Sequence, residues 1–363
     1  EGQAADKTFL KVDIPSDRLT TFFARVPTTP GGTGIQETRT YGRAVAGYFL
    51  REITPIGICA ISPERGGTRD LTPASSIKEL TEYGIRRGVA YNIMELGPLG
   101  GSGQPYLLNP VDVWPSPDCD PSHSSASYTD SFVCTGTSAT VAKVPGDVFG
   151  NTGISAGKTQ VALNSRFNVN ACAPQDANVK TYEFGPIGAG YPKYWMEPGA
   201  STQPSRQSIR IDSATHKPVS SPSFADYGVL WSYSRAVQAI GTAPNATAGT
   251  PFALTDWPTL YGGSADSLNY PHTPPPDSLL VQPYNSGDYF SPPPVTPGKR
   301  DRRVLNIAIV NCAASTGTGC NSTIHVEAIG RFFMQVKADL PKSIDAEFAG
   351  LIDPPPTDIR LYK

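Results

Sequence analysis

The chain has 363 residues, enough for a well-buried core and for either two or three domain-sized units or a single large β-rich body. Charged residues make up only 17% of it and the formal net charge is -2, which excludes a broad electrostatic partner such as nucleic acid or an anionic membrane surface. Its 35 glycines and 36 prolines are about a fifth of the chain, above the ordinary ~12% and below what disorder requires, so short elements joined by many ordered turns are expected.

The N-terminal third alternates as β-structure does. Residues 8–14 (TFLKVDI) form one strand and 42–53 (GRAVAGYFLREI) a second, with Ala44, Ala46, Tyr48 and Leu50 on one face and Val45, Gly47 and Phe49 on the other. Apolar residues on both faces predict that this second strand is central. A helix is expected over 75–84 (SSIKELTEYG), with Ser75 or Ser76 as N-cap and Glu79 available for a capping box. Residues 97–127 read as a long irregular excursion that a disulfide would usefully tether.

From Ser155 to Phe167 the pattern is helical, with Ala156, Leu163 and Phe167 on one face and Thr152 or Ser155 as cap. A second helix is expected in 223–240 (SFADYGVLWSYSRAVQAI). The proline-dense stretch 270–298 predicts an ordered strap or a linker, since it cannot form regular sheet or helix throughout. At the C-terminus, 302–312 (RRVLNIAIVNC) sets Leu305, Ile307 and Ile309 against Val304, Ala308 and Val310, the pattern of a central strand. Residues 323–336 alternate strictly, and these two strands with 345–352 (DAEFAGLI) are expected in one sheet, joined by a hairpin connection over 311–321.

The predicted fold class is therefore α+β: a β-rich body with central C-terminal strands, a few packed helices and long disulfide-tethered loops. Its organisation is a mixed body at 1–270, a Pro-rich strap or linker at 271–300, and C-terminal strands at 301–363 completing the sheet, the whole forming one continuous domain as the alternative.

Six cysteines, Cys59, Cys119, Cys134, Cys172, Cys312 and Cys320, form an even set without a C-x-x-C pair, which argues against zinc ribbons and thioredoxin-like motifs. With low charge and abundant Ser, Thr, Gly and Pro, they fit an oxidising, extracytoplasmic compartment. Among 15 connectivities, the expected pairs are Cys312–Cys320 across a small polar loop, Cys119–Cys134, and Cys59–Cys172 by elimination. No run of 18 apolar residues offers a transmembrane segment, and no signal-peptide pattern stands at Glu1, as expected of a mature or trimmed product.

One stretch looks enzymatic. Residues 150–159 (GNTGISAGKT) contain Gly153-Ile154-Ser155-Ala156-Gly157, the G-x-S-x-G spacing of a nucleophile elbow, and end in Gly157-Lys158-Thr159, the tail of a P-loop. The P-loop fails on spacing, because Thr152 stands where its first glycine must be. The elbow needs a strand before Ser155, a helix after it, a histidine base and oxyanion donors. The segment 146–152 (GDVFGNT) is a poor strand by composition. Of the later histidines, His216 and His272 follow no recognisable strand and His325 alternates outward. The rival reading makes this stretch a helix start, with Thr152 or Ser155 as a capping hydroxyl and Lys158 in solvent.

The other signals have bland readings beside the sharp ones. The run 299–303 (KRDRR) is a charged loop leading into a strand rather than a phosphate patch. Asp118, Asp120 and His123 are the one local group with metal-ligand chemistry, and such loop residues are more often solvated, so no metal or cofactor is expected. Asn245-Ala246-Thr247 and Asn321-Ser322-Thr323 are sequons, relevant only in a cell that glycosylates them. Aromatic residues around Trp195 and Trp257 suit either a carbohydrate or protein contact surface or the packing of loops onto the body.

Several segments together carry a resemblance: 86–92 (RRGVAYN), 132–137 (FVCTGT), 152–167 (TGISAGKTQVALNSRF), 228–237 (GVLWSYSRAV), 255–263 (TDWPTLYGG), 302–312, 326–336 (VEAIGRFFMQV) and 346–351 (AEFAGL). They resemble the extracytoplasmic part of TadG-like proteins of the bacterial tight-adherence, or Flp, pilus assembly system, most specifically in the last 60 or so residues. The family's N-terminal hydrophobic helix is absent here, and so is the D-x-S-x-S metal motif of members with a von Willebrand A-type domain. The resemblance implies a non-enzymatic structural or interaction role in a cell-surface or pilus-associated assembly, in the periplasm or at the surface of a bacterium. Implied partners are other envelope or pilus proteins, and strand edges offer self-assembly. The alternatives are a secreted serine hydrolase using Ser155, and an adhesin or carbohydrate-binding module using Trp195 and Trp257.

Overall fold

The computed structural model describes residues 9–20, 37–47, 52–72, 76–98, 104–140, 144–154, 156–167, 172, 174–176, 230–262, 298–335, 337–352 and 360–362. The chain divides into two units, Glu1–Leu50 with Pro355–Lys363, and Arg51–Pro354. This division does not fall at 270 or 300, and the strap expected at 271–300 lies outside the described residues up to 297.

The first unit opens with β1 (Phe9–Thr20) and β2 (Glu37–Gly47). The second follows with β3 (Ile56–Cys59), β4 (Gly67–Asp70), β5 (Lys78–Glu82), β6 (Ile85–Arg86), β7 (Ala90–Asn92) and β8 (Tyr106–Leu108). Then come α1 (Ala126–Thr135), β9 (Gly146–Thr152), α2 (Ala156–Asn164), β10 (Gln175–Asp176), β11 (Val237–Ile240), β12 (Thr247–Pro251) and α3 (Trp257–Tyr261). It closes with β13 (Gly298–Lys299), β14 (Val304–Val310), β15 (Gly319–Met334) and β16 (Asp345–Ile352), after which β17 (Arg360–Tyr362) returns to the first unit. The first unit is a three-stranded sheet, β1-β2-β17, antiparallel throughout, so β2 has the central place its two-faced pattern predicts.

In the second unit the main sheet runs β14-β3-β8-β9-β15-β16-β7, and an additional pairing joins β14, at one end, to β15. Strands β14, β3, β8, β9 and β15 thereby close into a five-stranded ring, from which β16 and β7 extend along the C-terminal half of β15. All ring pairings are antiparallel except β3 with β14. The 16-residue β15 makes closure possible: its first half pairs with β9 and its second with β16, while β14 runs along its other edge. The expected sheet of β14, β15 and β16 is present.

The two faces of β14 serve two cores. Ala308 and Val310 join Leu108, Val148, Ile324 and Val326 in one buried cluster, whereas Leu305, Ile307 and Ile309 join a larger one with the helices. Burying each such side chain contributes about 1.5–3 kcal/mol. The larger core takes in Val133 of α1, Leu163 of α2, and Trp257 and Leu260 of α3. A second sheet, β12-β11-β5-β4 with β6 on β5, supplies Ile85 and Tyr83 from its hairpin. These elements bear out the α+β class with a β-rich body and a few packed helices.

Neither of the helices expected at 75–84 and 223–240 is present among the described residues of those stretches. Residues 78–82 form β5, because Glu79 is not a capping residue but a buried carboxylate 2.7 Å from Arg69 and 2.9 Å from Arg86. The chain then reverses at Tyr83 and Gly84, with φ of 51° and 79°, a pair of left-handed residues suited to a two-residue hairpin. Within 223–240, residues 230–236 are irregular and 237–240 form β11, because the backbone at 232–234 is turned onto a buried carboxylate described below.

All six cysteines are paired, as Cys59–Cys312, Cys119–Cys320 and Cys134–Cys172, so each of the three expected pairings is corrected. Cys312 does not meet Cys320 because the start of β15 pairs with β9 rather than continuing the β14 hairpin. Cys59 ends β3 opposite Val310, two residues from Cys312, so this bridge staples the parallel pair. Cys119–Cys320 tethers the irregular stretch after β8 to β15, and Cys134–Cys172 tethers the end of α1. Three disulfides fit an oxidising, extracytoplasmic compartment. Among the described residues, no helix is long and apolar enough to cross a membrane.

Candidate functional site

The G-x-S-x-G stretch sits at the junction of β9 and α2. The segment judged a poor strand is a full one, seven residues pairing with β8 and β15, and Thr152 belongs to it opposite Tyr106 rather than capping a helix. Its glycines lower its strand propensity, yet the packing requires one of them. A Cβ on Gly150 would lie 2.6 Å from Ile324 Cδ1 and 2.8 Å from the Leu107 oxygen, so packing inside the ring demands glycine there. The chain turns at Gly153, with φ of 98°, and α2 starts at Ala156. Strand, turn and helix thus have the order that an elbow requires. Ser155 itself lies outside the described residues.

What surrounds the junction is structural. The amide of Gly153 donates to the Pro105 oxygen at 3.0 Å, and that of Ile154 to Gln104 Oε1 at 3.0 Å. Gly157 and Lys158 are exposed, while Thr159 is buried and donates to Asp130 Oδ1 at 3.3 Å, so the P-loop-like tail is spent on joining α2 to α1. Asn164 exchanges two hydrogen bonds with the Ala338 backbone, at 2.9 and 2.7 Å, and Gln160 Oε1 accepts from Leu340. Leu163 and Phe167 are buried together on the expected face.

The described histidines are each held by aspartate. His325 Nδ1 lies 2.7 Å from Asp147 Oδ1, its cross-strand neighbour, and its other nitrogen 3.8 Å from Glu327. Asp147 is at the opposite end of β9 from Gly153, about 20 Å away at ~3.3 Å per strand residue, so this histidine is not the base of the junction. His123 Nδ1 lies 2.9 Å from Asp112, which also accepts from Asn109 and from the Asp120 amide. Asp120 caps the short turn at 121–124 through the Ser122 amide, which lowers its carboxyl pKa. Among the described residues no group of three or more His, Cys, Asp or Glu side chains is arranged to hold a metal ion. His216 and His272 lie outside the described residues.

Of the two readings of the aromatic residues, Trp257 follows the packing one. Trp257 is fully buried and meets Trp231 and Tyr261 edge-on, at interplanar angles of 67° and 64°, so it belongs to the core and not to an exposed platform. Trp195 lies outside the described residues. The basic run divides: Lys299 and Arg300 are exposed, whereas Arg302 and Arg303 turn inward. Arg302 donates to the oxygens of Thr135 and Pro174 and, with Arg166 on Val133, satisfies carbonyls at the end of α1. Burial and the facing Arg302 bring the Arg166 pKa down to about 9. Asn245 and Asn321 of the two sequons are exposed.

A polar cluster that the sequence reading missed lies inside the body. Glu347 of β16 is fully buried. Its Oε1 accepts from the amides of Tyr233 at 3.0 Å and Ser234 at 2.7 Å, and its Oε2 from the Ser232 amide at 2.7 Å and from the Ser232 hydroxyl. Gln335 Nε2 donates to Ser232 Oγ at 2.9 Å and reaches Glu347 Oε2 at 3.4 Å. Burial raises the Glu347 pKa, and the hydrogen bonds from Ser232, Ser234 and Tyr233 oppose the rise. Successive amides wrapped around one carboxylate form an anion nest. The sequence signal was the serine-flanked Ser232-Tyr233-Ser234, whose short polar side chains favour turns over helix.

Comparison with known protein families, with curated proteins and with solved structures finds no match to this chain.

Proposed function

We propose that this protein is a non-enzymatic structural or interaction component of an extracytoplasmic assembly at a bacterial cell surface, of the kind associated with Flp/Tad pili. The observation that carries the reading is the use of polar chemistry: Glu79, Glu347, Arg166, Arg302, Asp112 and Asp147 are each engaged in holding the fold together. Three disulfides support placement outside the cytoplasm, and the stretches that resemble TadG-like proteins near the C-terminus include β14, the second half of β15 and most of β16. Partners are other envelope or pilus proteins. In-cell cross-linking followed by identification of the linked proteins tests this: envelope or pilus subunits are expected, and cytoplasmic proteins alone would contradict it.

A secreted serine hydrolase remains the second reading, because β9, the turn at Gly153 and α2 supply the strand, turn and helix that the composition did not promise. Fluorophosphonate labelling lost in Ser155→Ala would establish it, and absence of labelling would remove it. The carbohydrate-binding reading loses Trp257 to the core.

A further inference from the structure

The Ser232, Gln335 and Glu347 cluster brings a hydroxyl, a carboxamide and a carboxylate together in a site closed to water, their residues 0%, 1% and 0% exposed. We propose that Ser232 and Gln335 form an intramolecular ester cross-link, with Glu347 carrying the proton.

The step balances without a co-reactant. Ser232 Oγ attacks Gln335 Cδ while its proton passes to Glu347 Oε2, to which it is already hydrogen-bonded. The new bond is Oγ–Cδ and the bond that breaks is Cδ–Nε2. Glu347 returns the proton to the departing nitrogen, ammonia leaves, and the carboxyl group ends in its starting state. Gln335 Nε2 is 2.9 Å from Ser232 Oγ, which places Cδ one bond beyond it; rotation about the soft terminal torsion turns the face of the amide toward Oγ, and an adjustment about the inner side-chain torsions closes the remaining gap.

Three features favour the reaction. The nest on Oε1 fixes the Glu347 carboxylate, leaving Oε2 aimed at both reacting groups. Burial raises the Glu347 pKa against the pull of its hydrogen bonds, which strengthens it as an acceptor for the proton it takes and hands back. Arg303 donates to the backbone oxygen of Gln335 at 2.7 Å and holds the residue in place. Exclusion of water then protects the ester from hydrolysis. The product ties the irregular segment after Leu230 to the end of β15, and unlike the three disulfides it survives a reductant.

Intact-mass measurement of the folded full-length protein, after reduction and alkylation, decides the matter. The expected mass is lower than that of the sequence by one ammonia, with a linked peptide pair containing Ser232 and Gln335. Mild alkali should separate the pair by adding one water and leave glutamate at position 335. Ser232→Ala and Glu347→Gln should each show the unlinked mass. A wild-type mass equal to that of the sequence overturns the proposal even if neither variant folds, as does an ammonia loss that maps to other residues. Linkage persisting in Glu347→Gln overturns the role given to Glu347.

Discussion

Asp345 opens β16 opposite Asn92, and burial pushes its pKa up to about 6, with a Ser343 hydrogen bond opposing and Glu95 adding to the rise. The folded state therefore holds this proton more tightly than the unfolded chain does. Its contribution to stability is full below the unfolded value and is lost as pH rises from about 4 through about 6, a change of up to about 3 kcal/mol. Asp345→Asn should flatten that part of the stability profile and raise the urea midpoint at pH 7; an unchanged slope between pH 4 and pH 7 would refute the assignment. Glu79 and Arg86 make the opposite case, a buried pair at 2.9 Å with Arg86 also facing the Tyr261 ring. Glu79→Ala removes the carboxylate that balances the buried guanidinium and should cost about 3–5 kcal/mol by denaturant unfolding. A cost near zero would mean the pair is not desolvated. Neither role was legible in the sequence. Glu79 fitted a capping-box spacing, and its true partners lie on β4 and β6, where only the folded hairpin brings them.

At the scale of elements, legibility follows how local the cause is. The strands β14, β15 and β16 were readable because their own alternation encodes two buried faces, and α2 because Leu163 and Phe167 recur at helical spacing. β9 was not readable, since Gly150 looks like a breaker until Ile324 and the Leu107 oxygen are placed against it. Gly150→Ala should therefore destabilise by about 1–3 kcal/mol through overpacking, measured by urea midpoint, whereas tolerance of the methyl group would mean the ring is looser at this point. The region at 230–240 failed as a helix for a related reason. Its apolar spacing permits one, but the demand of Glu347 for three amides lies more than a hundred residues away and fixes the backbone otherwise. Disulfide pairing was likewise beyond local reasoning, because two of the bridges span 253 and 201 residues.

For the molecule as a whole, the two buried clusters that β14 serves and all six cysteines fall within 51–354. That piece, secreted on its own, should fold cooperatively and show no free thiols. Removal of the Cys59–Cys312 bridge from it should cost about 2–5 kcal/mol. A piece that fails to unfold cooperatively would mean the first unit is needed for the core. The same organisation, a stapled ring with several buried charged groups turned to internal use, agrees with the structural role proposed above. The proposed pilus-associated role is tested most directly by deleting the gene in the organism that carries it, with and without complementation, and counting surface pili by electron microscopy. Loss of pili restored by the wild-type chain is the expected result; an unchanged number of pili in the deletion strain would contradict it.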